Sequence, residues 1–334
     1  MKPLFHIKPP SRHRRSRRWL LVPLLLLVGL GFGIRALNAT ETLPPFEGTL
    51  EPFPVVEPVA GVEACWIETG AFPLMDATAS SLVIRHPQGI LLVDAGTSLK
   101  IDAEMEPYRG LQKFFMRVGP GSLRAEVPVT AHLEALGVEP SELTAVIVSH
   151  AHIDHVGGLR ELPASVPVWA PAEELTFARR EGGASAPSFH VVREHAKLLT
   201  ERGQALELVE TETGPFERVA DVFGDGTVQV VSTFGHTPGS IGIYVVLPDG
   251  RRLFFAGDTI NRVRELSPPQ SKTRAMAVAD VDPERAHAVV RRLARLKELD
   301  PTLEWLPGHE RSAWSRAFGT PGTCIGAGDT AASR

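Results

Sequence analysis

Short apolar runs recur along the chain and are separated by turn residues, a pattern that predicts a strand-rich α/β protein. In the first half, His86-Pro-Gln-Gly89 supplies a turn between two apolar runs. In the second half, Pro248-Asp-Gly250 has the same role. The pattern predicts strands over residues 62–69, 81–85, 90–94, 145–148, 166–170, 228–232, 240–246, 253–256 and 302–306.

Helical periodicity follows several of these strands. Apolar residues recur every three or four positions from Ala286 to Leu299, after Asp282 and Pro283, which favour the N-cap and the first position of a helix. Further helices are predicted near 129–136 and over 171–180. Strands followed by helices, in both halves of the chain, predict two sheets that pack face to face with helices on the outside.

Residues 107–121 do not follow this pattern of strands and helices. They combine Tyr108, Phe114, Phe115 and Met116 with basic residues. We expect such a segment either to pack on the core as a loop or helix, or to form a lid or a surface that contacts lipid or an acyl chain. In the second case, Phe114, Phe115 and Met116 are candidate substrate contacts.

The first 60 residues differ in composition from the rest. Residues 1–18 are basic, residues 19–37 are apolar and residues 38–60 form a proline-rich linker. As a helix, the uncharged residues 19–34 would span roughly 24 Å, less than the roughly 30 Å core of a bilayer, which suits an export signal or a short anchor. The positive-inside rule then predicts a basic cytoplasmic segment and an exported, periplasmic or extracytoplasmic protein, held at the membrane by residues 19–37 or released by signal cleavage. A folded domain at 61–315 and a C-terminal tail at 316–334 would follow.

Charge and cysteine content narrow the class of partner. The seven basic residues of 1–18 contribute +7 to a net charge of −4, which leaves −11 on the rest of the chain. An acidic body of this kind argues against a nucleic-acid partner. Cys65 and Cys324 are too few and too far apart for a disulfide framework, and the sequence leaves open whether they pair.

The densest group of polar residues follows the strand predicted at 145–148. Four ligand-type side chains lie within six positions there. His150 and His152 point the same way if strand geometry continues and can bind one ion, while Asp154 and His155 face a neighbouring point. Imidazole and carboxylate suit zinc or iron, but four ligands are not enough for two ions. Three more candidates follow apolar runs and lie beside glycine: His236, Asp258 and His309.

In order and context, these motifs resemble those of the metallo-β-lactamase superfamily of metal-dependent hydrolases. The motif sequences are most similar to those of its lactonase and glyoxalase-II-like members. The resemblance extends roughly over residues 61–314 and implies a four-layer αβ/βα sandwich with a dinuclear site at one edge. It implies two divalent ions, zinc above all, with iron or manganese as other options. The implied ligands are His150, His152 and His236 for one ion, Asp154, His155 and His309 for the other, and Asp258 as a bridge.

Other residues are expected behind these ligands. Asp94 matches a family position that supports the metal loop, although spacing alone does not distinguish it from a turn-forming aspartate. Thr237, Ser240 and Thr259 are expected to be loop residues that support the ligands. Four further histidines lie outside the motifs and are expected on the surface or on a helix face: His132, His190, His195 and His287.

The resemblance implies hydrolysis of a small molecule. Two ions that share a hydroxide provide a nucleophile near neutral pH and polarise a carbonyl, so we expect attack on an ester, a lactone or a related carbonyl, including that of an acylated substrate. Asp154 would be the catalytic residue that orients the nucleophile. Quorum-quenching lactonases of the superfamily usually have tyrosine three residues after the bridging aspartate, and this chain has Asn261 there. Asn261 is thus a further candidate substrate contact.

Other activities on the same fold remain open at this point. Hydroxyacylglutathione hydrolases share the motif Gly257-Asp-Thr259. In those enzymes a helical region that binds the thiol ester lies after the last metal ligand, and 25 residues remain for it here. The alternatives are β-lactamase-like amide hydrolysis and iron-dependent oxygen or persulfide chemistry. A non-enzymatic alternative is an anchored binding module, although structural zinc sites are normally closed sites with four ligands. The sequence does not indicate the oligomeric state.

Overall fold

The computed structural model describes residues 35–73, 77–117, 122–185, 187–188 and 190–326. The predicted basic segment and residues 19–34 of the predicted anchor lie outside the described residues. Within the described part, no helix is both long and apolar enough to span a bilayer.

Strands and helices alternate along the described chain. The strands are β1 (Glu63–Phe72), β2 (Ala77–His86), β3 (Gly89–Val93), β4 (Leu143–Ile147), β5 (Val168–Ala170), β6 (Gly203–Ala205), β7 (Val209–Glu210), β8 (Arg218–Asp221), β9 (Val228–Ser232), β10 (Ile241–Val246), β11 (Arg252–Gly257), β12 (Glu304–Pro307) and β13 (Cys324–Ile325). The helices are α1 (Ile101–Glu104), α2 (Gly110–Arg117), α3 (Val129–Ala135), α4 (Ile153–Val156), α5 (Ala172–Gly183), α6 (Arg193–Arg202), α7 (Arg274–Ala277), α8 (Pro283–Leu299) and α9 (Arg311–Phe318).

The strands form two mixed sheets. The first has the order β13-β1-β2-β3-β4-β5-β6 and the second the order β12-β11-β10-β9-β8-β7. In the first, β1, β2 and β3 pair antiparallel and β3 to β6 pair parallel. In the second, only the β11–β12 pair is parallel among the described strands. Side chains from both sheets, among them Trp66, Ile147, Ile243 and Phe255, share one buried apolar core, so the sheets lie face to face.

Helices cover the outer face of each sheet. On the first, Leu92 of β3 packs in one apolar cluster with Leu133 of α3 and Phe177 of α5. On the second, Phe254 of β11 packs with Leu293 of α8. Because alternate residues of a strand point to opposite faces, each buried strand serves both the core between the sheets and a helical layer. The predicted α/β sandwich of two sheets with helices outside is therefore confirmed.

Some strands and helices differ from the predicted ones in where they begin or end, or were not predicted at all. β1 continues to Phe72 across an irregular register between Glu68 and Gly70. Helix α8 begins as predicted, because the Asp282 side chain accepts a hydrogen bond from the backbone N–H of Arg285 at 3.0 Å. The prediction omitted the helices α1, α4, α6, α7 and α9 and the short strands β6, β7, β8 and β13. Both residues of β7 are exposed, so this edge strand has no buried face to produce an alternating pattern.

Segments predicted as linker and tail take part in the fold. Leu43, Leu50 and Phe53 of the linker are buried against the second sheet. Residues 316–326 contribute the end of α9 and β13. The segment that interrupted the pattern contains α2, in which Met116 is buried in a cluster with Ile153, whereas Phe114 is 60% exposed. The side chain of Phe115 lies outside the described part.

The two cysteines, whose pairing the sequence left open, form a disulfide. Cys65 of β1 and Cys324 of β13 are 259 positions apart in sequence. The bond attaches the last described strand to the first sheet, where the two residues face each other in the β1–β13 ladder. Cross-linking such distant positions removes conformational entropy from the unfolded chain.

We expect loss of this disulfide to lower the free energy of unfolding by about 2–4 kcal/mol, because the unfolded chain regains that entropy. The measurement is urea denaturation of the Cys324→Ser variant beside the oxidised wild type. Wild-type protein kept in reductant is the control and should match the variant. An unchanged denaturation midpoint in the variant would contradict the prediction.

Candidate metal centre

The seven predicted ligands meet where four strands end. His150 to His155 follow β4, and the others follow β9, β11 and β12. The side chains are buried, each at most 8% exposed. Their nitrogen and oxygen atoms form two groups, each with all atoms within 4.8 Å of one another: His150, His152, His236 and Asp258 in the first group, and Asp154, His155 and His309 in the second.

The carboxylate of Asp258 lies between the two groups. Its Oδ2 is 3.6 Å from Nε2 of His236 and 3.9 Å from Nε2 of His150. On the other side, its Oδ1 is 3.4 Å from Nε2 of His155 and its Oδ2 is 2.9 Å from Nε2 of His309. A carboxylate within reach of imidazoles from both groups has the position of a shared ligand.

Several converging atoms are buried without a hydrogen-bond partner in the described structure. Burying a polar atom in this way costs free energy, so a cluster of such atoms is typical of a cation site. Imidazole nitrogen and carboxylate oxygen are ligands that zinc and iron accept. The residues therefore fit a pair of divalent ions. The atoms are Nε2 of His150, His152 and His155, Oδ2 of Asp154 and Oδ1 of Asp258.

The electrostatics of the cluster favour neutral imidazoles in the first group. Burial, reinforced by the neighbouring imidazoles, holds the pKa of His150 and His152 well below the ordinary value. Burial also opposes protonation of His309, but the Asp258 carboxylate outweighs it and raises the pKa of His309 to about 9. Conversely, His309 and His155 overcome burial and keep the pKa of Asp258 well below its usual range. Asp258 is thus an anion, and the first group can donate imidazole lone pairs.

Asp94 lies directly behind His155. Its Oδ2 is 2.6 Å from Nδ1 of His155 and accepts the Ser149 hydroxyl at 2.7 Å, while its Oδ1 accepts the Ser149 N–H at 2.6 Å. Asp94 has a φ of +62°, an uncommon backbone conformation for a residue other than glycine. These contacts hold the carboxylate in place and leave Nε2 of His155 to face the cluster.

Two buried residues behind His236 were not predicted. Nδ1 of His236 is 2.6 Å from Oδ1 of Asp280, which also accepts from Nζ of Lys272 at 2.5 Å. Burial would raise the pKa of Asp280, but Lys272 and His236 lower it to about 2. No motif marks these residues, since a lysine and an aspartate eight positions apart, on either side of the short helix α7, have no distinctive spacing.

The residues predicted to support the ligands are buried loop residues. The Thr237 hydroxyl donates to Oε2 of Glu174 at 2.7 Å, and the Ser240 hydroxyl donates to the Thr233 carbonyl at 2.9 Å. Thr259 is buried, and its hydroxyl has no hydrogen-bond partner in the described part. Glu174 was not predicted, because an acidic residue in the first turn of a helix is ordinary. Burial raises the pKa of Glu174 to about 7, although its hydrogen bonds oppose the shift.

The expectation for His190 was wrong. His190 is buried rather than at the surface, lies outside any helix and has a φ of +66°. Its ring centroid is 5.8 Å from that of His152, and burial lowers its pKa to about 4. His195 does lie on helix α6 but is fully buried, with Nε2 2.7 Å from Oε2 of Glu104. His132 and His287 lie on α3 and α8 and are partly exposed.

The model of the metallo-beta-lactamase superfamily matches residues 76–309, and the chain belongs to this superfamily. It is a metal-dependent hydrolase. Over 245 residues it is 24% identical to the N-acyl homoserine lactonase AttM of Azorhizobium caulinodans, a match that covers 72% of this chain and 84% of that protein.

Solved structures show the same fold. One is an N-acyl homoserine lactone hydrolase with the product N-hexanoyl-L-homoserine bound at the catalytic metal center, with a TM-score of 0.56, 17% identity, and coverage of 77% of this chain and 97% of that one. Another is a mutant of AiiA from B. thuringiensis with N-decanoyl-L-homoserine at the active site, with a TM-score of 0.55, 16% identity and coverage of 77% and 97%. The fold is therefore the mixed α/β sandwich of the superfamily.

Proposed function

We propose that this chain is a dinuclear lactonase whose substrate is a small acylated lactone. The observation that carries the proposal is the Asp258 carboxylate between two groups of buried imidazoles and a second carboxylate, Asp154. One relative that matches most of this chain is an N-acyl homoserine lactonase, and two structures of this fold hold N-acyl homoserines. These names support the substrate class.

The ligand groups define how the ions would be held. When bound, two divalent ions lower the pKa of a water molecule and polarise the carbonyl oxygen of the substrate. We propose zinc, because neutral imidazoles dominate the first group. The ligands would be His150, His152 and His236 for one ion, Asp154, His155 and His309 for the other, and Asp258 for both.

The protein's own groups would supply proton transfer and orientation. Oδ2 of Asp154 is 3.3 Å from Nε2 of His155 and 3.4 Å from Nε2 of His309, so its carboxylate faces the second group. We propose that it orients the attacking water and accepts its proton. Asn261 is buried, and its backbone N–H donates to Glu265 at 2.9 Å. We propose that its amide contacts the leaving oxygen where other lactonases have tyrosine.

A substrate panel tests the proposal. Full-length protein loaded with zinc would be assayed on acyl homoserine lactones of several chain lengths, aryl esters, thioesters, phosphodiesters and β-lactams. We expect the highest kcat/KM on the lactones. A preference for long acyl chains would implicate α2 through the exposed Phe114. Turnover of another class at ten times the lactone kcat/KM or more would overturn the proposed substrate.

We also propose that the enzyme acts outside the cytoplasm. The support is the basic segment 1–18 followed by the apolar segment 19–37, and the disulfide, which persists in oxidising compartments. Cell fractionation of the full chain tests this, and recovery in the cytoplasm would contradict it.

Removal of the ions is expected to destabilise the fold. A ligand that binds only the folded state stabilises it by about 2.7 kcal/mol when its free concentration is a hundredfold above Kd. Chelation should therefore lower the melting temperature, and added Zn²⁺ should restore it in a concentration-dependent way. Calorimetry with and without chelator is the measurement, with added Mg²⁺ as the control ion. Identical melting curves in chelator and in excess Zn²⁺ would contradict the metal assignment.

A further inference from the structure

Glu174 is a fully buried carboxyl in the first turn of α5. It has three hydrogen bonds, and all come from loops outside its own helix. Its Oε1 accepts the backbone N–H of Ala151 at 2.7 Å. Its Oε2 accepts the Thr237 hydroxyl at 2.7 Å and the backbone N–H of Gly239 at 2.9 Å. Each oxygen therefore serves a different loop.

The two loops carry all the histidines of the first ligand group. Ala151 lies between His150 and His152 in sequence, and Thr237 directly follows His236. The second loop also packs directly on α5, because a Cβ on Gly239 would lie 2.4 Å from the backbone N of Glu174. One carboxyl thus connects the backbones on both sides of the first group.

The second ligand group is supported by other residues. Asp94 is in contact with Nδ1 of His155 at 2.6 Å, and Nδ1 of His309 is 2.7 Å from the Thr78 carbonyl. Asp280 contacts the ring of His236 but has no hydrogen bond to the loop that carries His150. The two loops also meet directly, with Nε2 of His236 3.1 Å from Nδ1 of His152. Among the described side chains outside the ligand set, the one whose hydrogen bonds reach both loops is Glu174.

We propose that Glu174 is a positioning residue that sets the distance between the His150–His152 loop and the His236 loop, and so sets the affinity of the first group for its ion. The inference rests on the proposed function only in that these histidines bind a metal; it is independent of the substrate. Partners of this kind, hydrogen-bonded behind metal ligands, typically change metal affinity about 10–100-fold.

Glu174→Gln tests the inference. Glutamine has nearly the same size but a single side-chain oxygen, so it cannot accept from both Ala151 and Gly239. The matched control is Glu181→Gln. Glu181 is a buried glutamate on the same helix that accepts the backbone N–H of Ser188 and pairs with Arg180. Within the described part of the chain, these hydrogen bonds and ion pairs do not involve the metal loops.

The readout is zinc binding rather than activity. Each full-length protein would be titrated with Zn²⁺ against a chelating dye, and bound zinc would be counted after dialysis at a fixed free concentration. We expect two ions in wild type and in Glu181→Gln. In Glu174→Gln we expect one tight ion and a second that is weakened about 10–100-fold. Metal-free circular dichroism should remain that of a folded protein.

Three results would overturn the inference. The first is wild-type affinity for both ions in Glu174→Gln, and the second is equal weakening of both ions. The third is a loss of zinc affinity in the control Glu181→Gln as large as that in Glu174→Gln. If Glu174→Gln does not fold, Glu174→Asp replaces it, since the shorter carboxylate keeps its charge but does not reach both loops, and the same outcomes apply. Wild-type protein that binds fewer than two ions would contradict the proposed dinuclear function as well, and this would be seen before any variant is compared.

Discussion

Replacing Asp258 with asparagine is expected to lower lactone turnover about a thousandfold or more. The carboxylate contacts imidazoles of both ligand groups, and four histidines surround it within 3.9 Å. Asparagine removes the negative charge and one of the two oxygens, so in the proposed dinuclear site the two ions would lose the carboxylate that they share. Metal catalysis contributes several kcal/mol, and at 1.36 kcal/mol per tenfold a loss of roughly 4 kcal/mol corresponds to this factor.

The measurement for Asp258→Asn is kcat/KM together with the number of bound ions. Asp300→Asn is a suitable control, because Asp300 is also a buried aspartate but pairs with Arg252 at the opposite end of the strand that leads to Asp258. The control should lose stability and keep its ions. A variant at position 258 that retains two ions and turns over within tenfold of wild type would refute the shared-ligand role.

Asp154→Asn is expected to fold and to lose turnover by about 10²–10⁴-fold, the range typical of a general acid–base group. Burial raises the pKa of Asp154, but His155 and His309 outweigh it, so the side chain is an anion. Asparagine keeps the shape and one oxygen ligand but cannot accept a proton. The loss should therefore appear in kcat at saturating zinc, where ion binding no longer limits the rate.

The pH profile separates the two possible defects of Asp154→Asn. Loss of proton acceptance should change the acidic limb of the kcat profile, whereas weaker ion binding alone should be rescued by added zinc. Circular dichroism of the variant should match wild type. Turnover near wild type on a confirmed substrate would show that Asp154 does not have the proposed role.

The seven candidate ligands stand out in the sequence because they follow apolar strands, and three of them, His236, Asp258 and His309, lie beside a glycine. Local pattern marked all seven candidates, and the family resemblance supplied their assignment to two ions. The same reasoning failed for residues whose role depends on a contact between distant segments. Glu174 has the pattern of an ordinary acidic first turn, and Asp280 that of a loop residue.

Burial explains the other differences between prediction and structure. Strands with a buried face, such as β9 over Val228–Ser232, produce the apolar pattern and were predicted with their observed bounds. β8 is only partly buried and was omitted. His190 was expected on the surface or on a helix face because it lies outside the motifs. Neither its left-handed backbone nor its position beside His152 has a signal in the sequence.

Helix α5 connects the ligand loops to the apolar layer on the first sheet. Glu174 contacts the ligand loops, while Phe177, three residues later and therefore on the same side of the helix, is buried in that layer. A change in the packing of Phe177 would tilt the helix and move the carboxyl that joins the loops, and displacements of about 1 Å far from the chemistry can reduce rates about a hundredfold. Variants selected for catalytic improvement should therefore include substitutions in this apolar layer, away from any atom that touches a substrate.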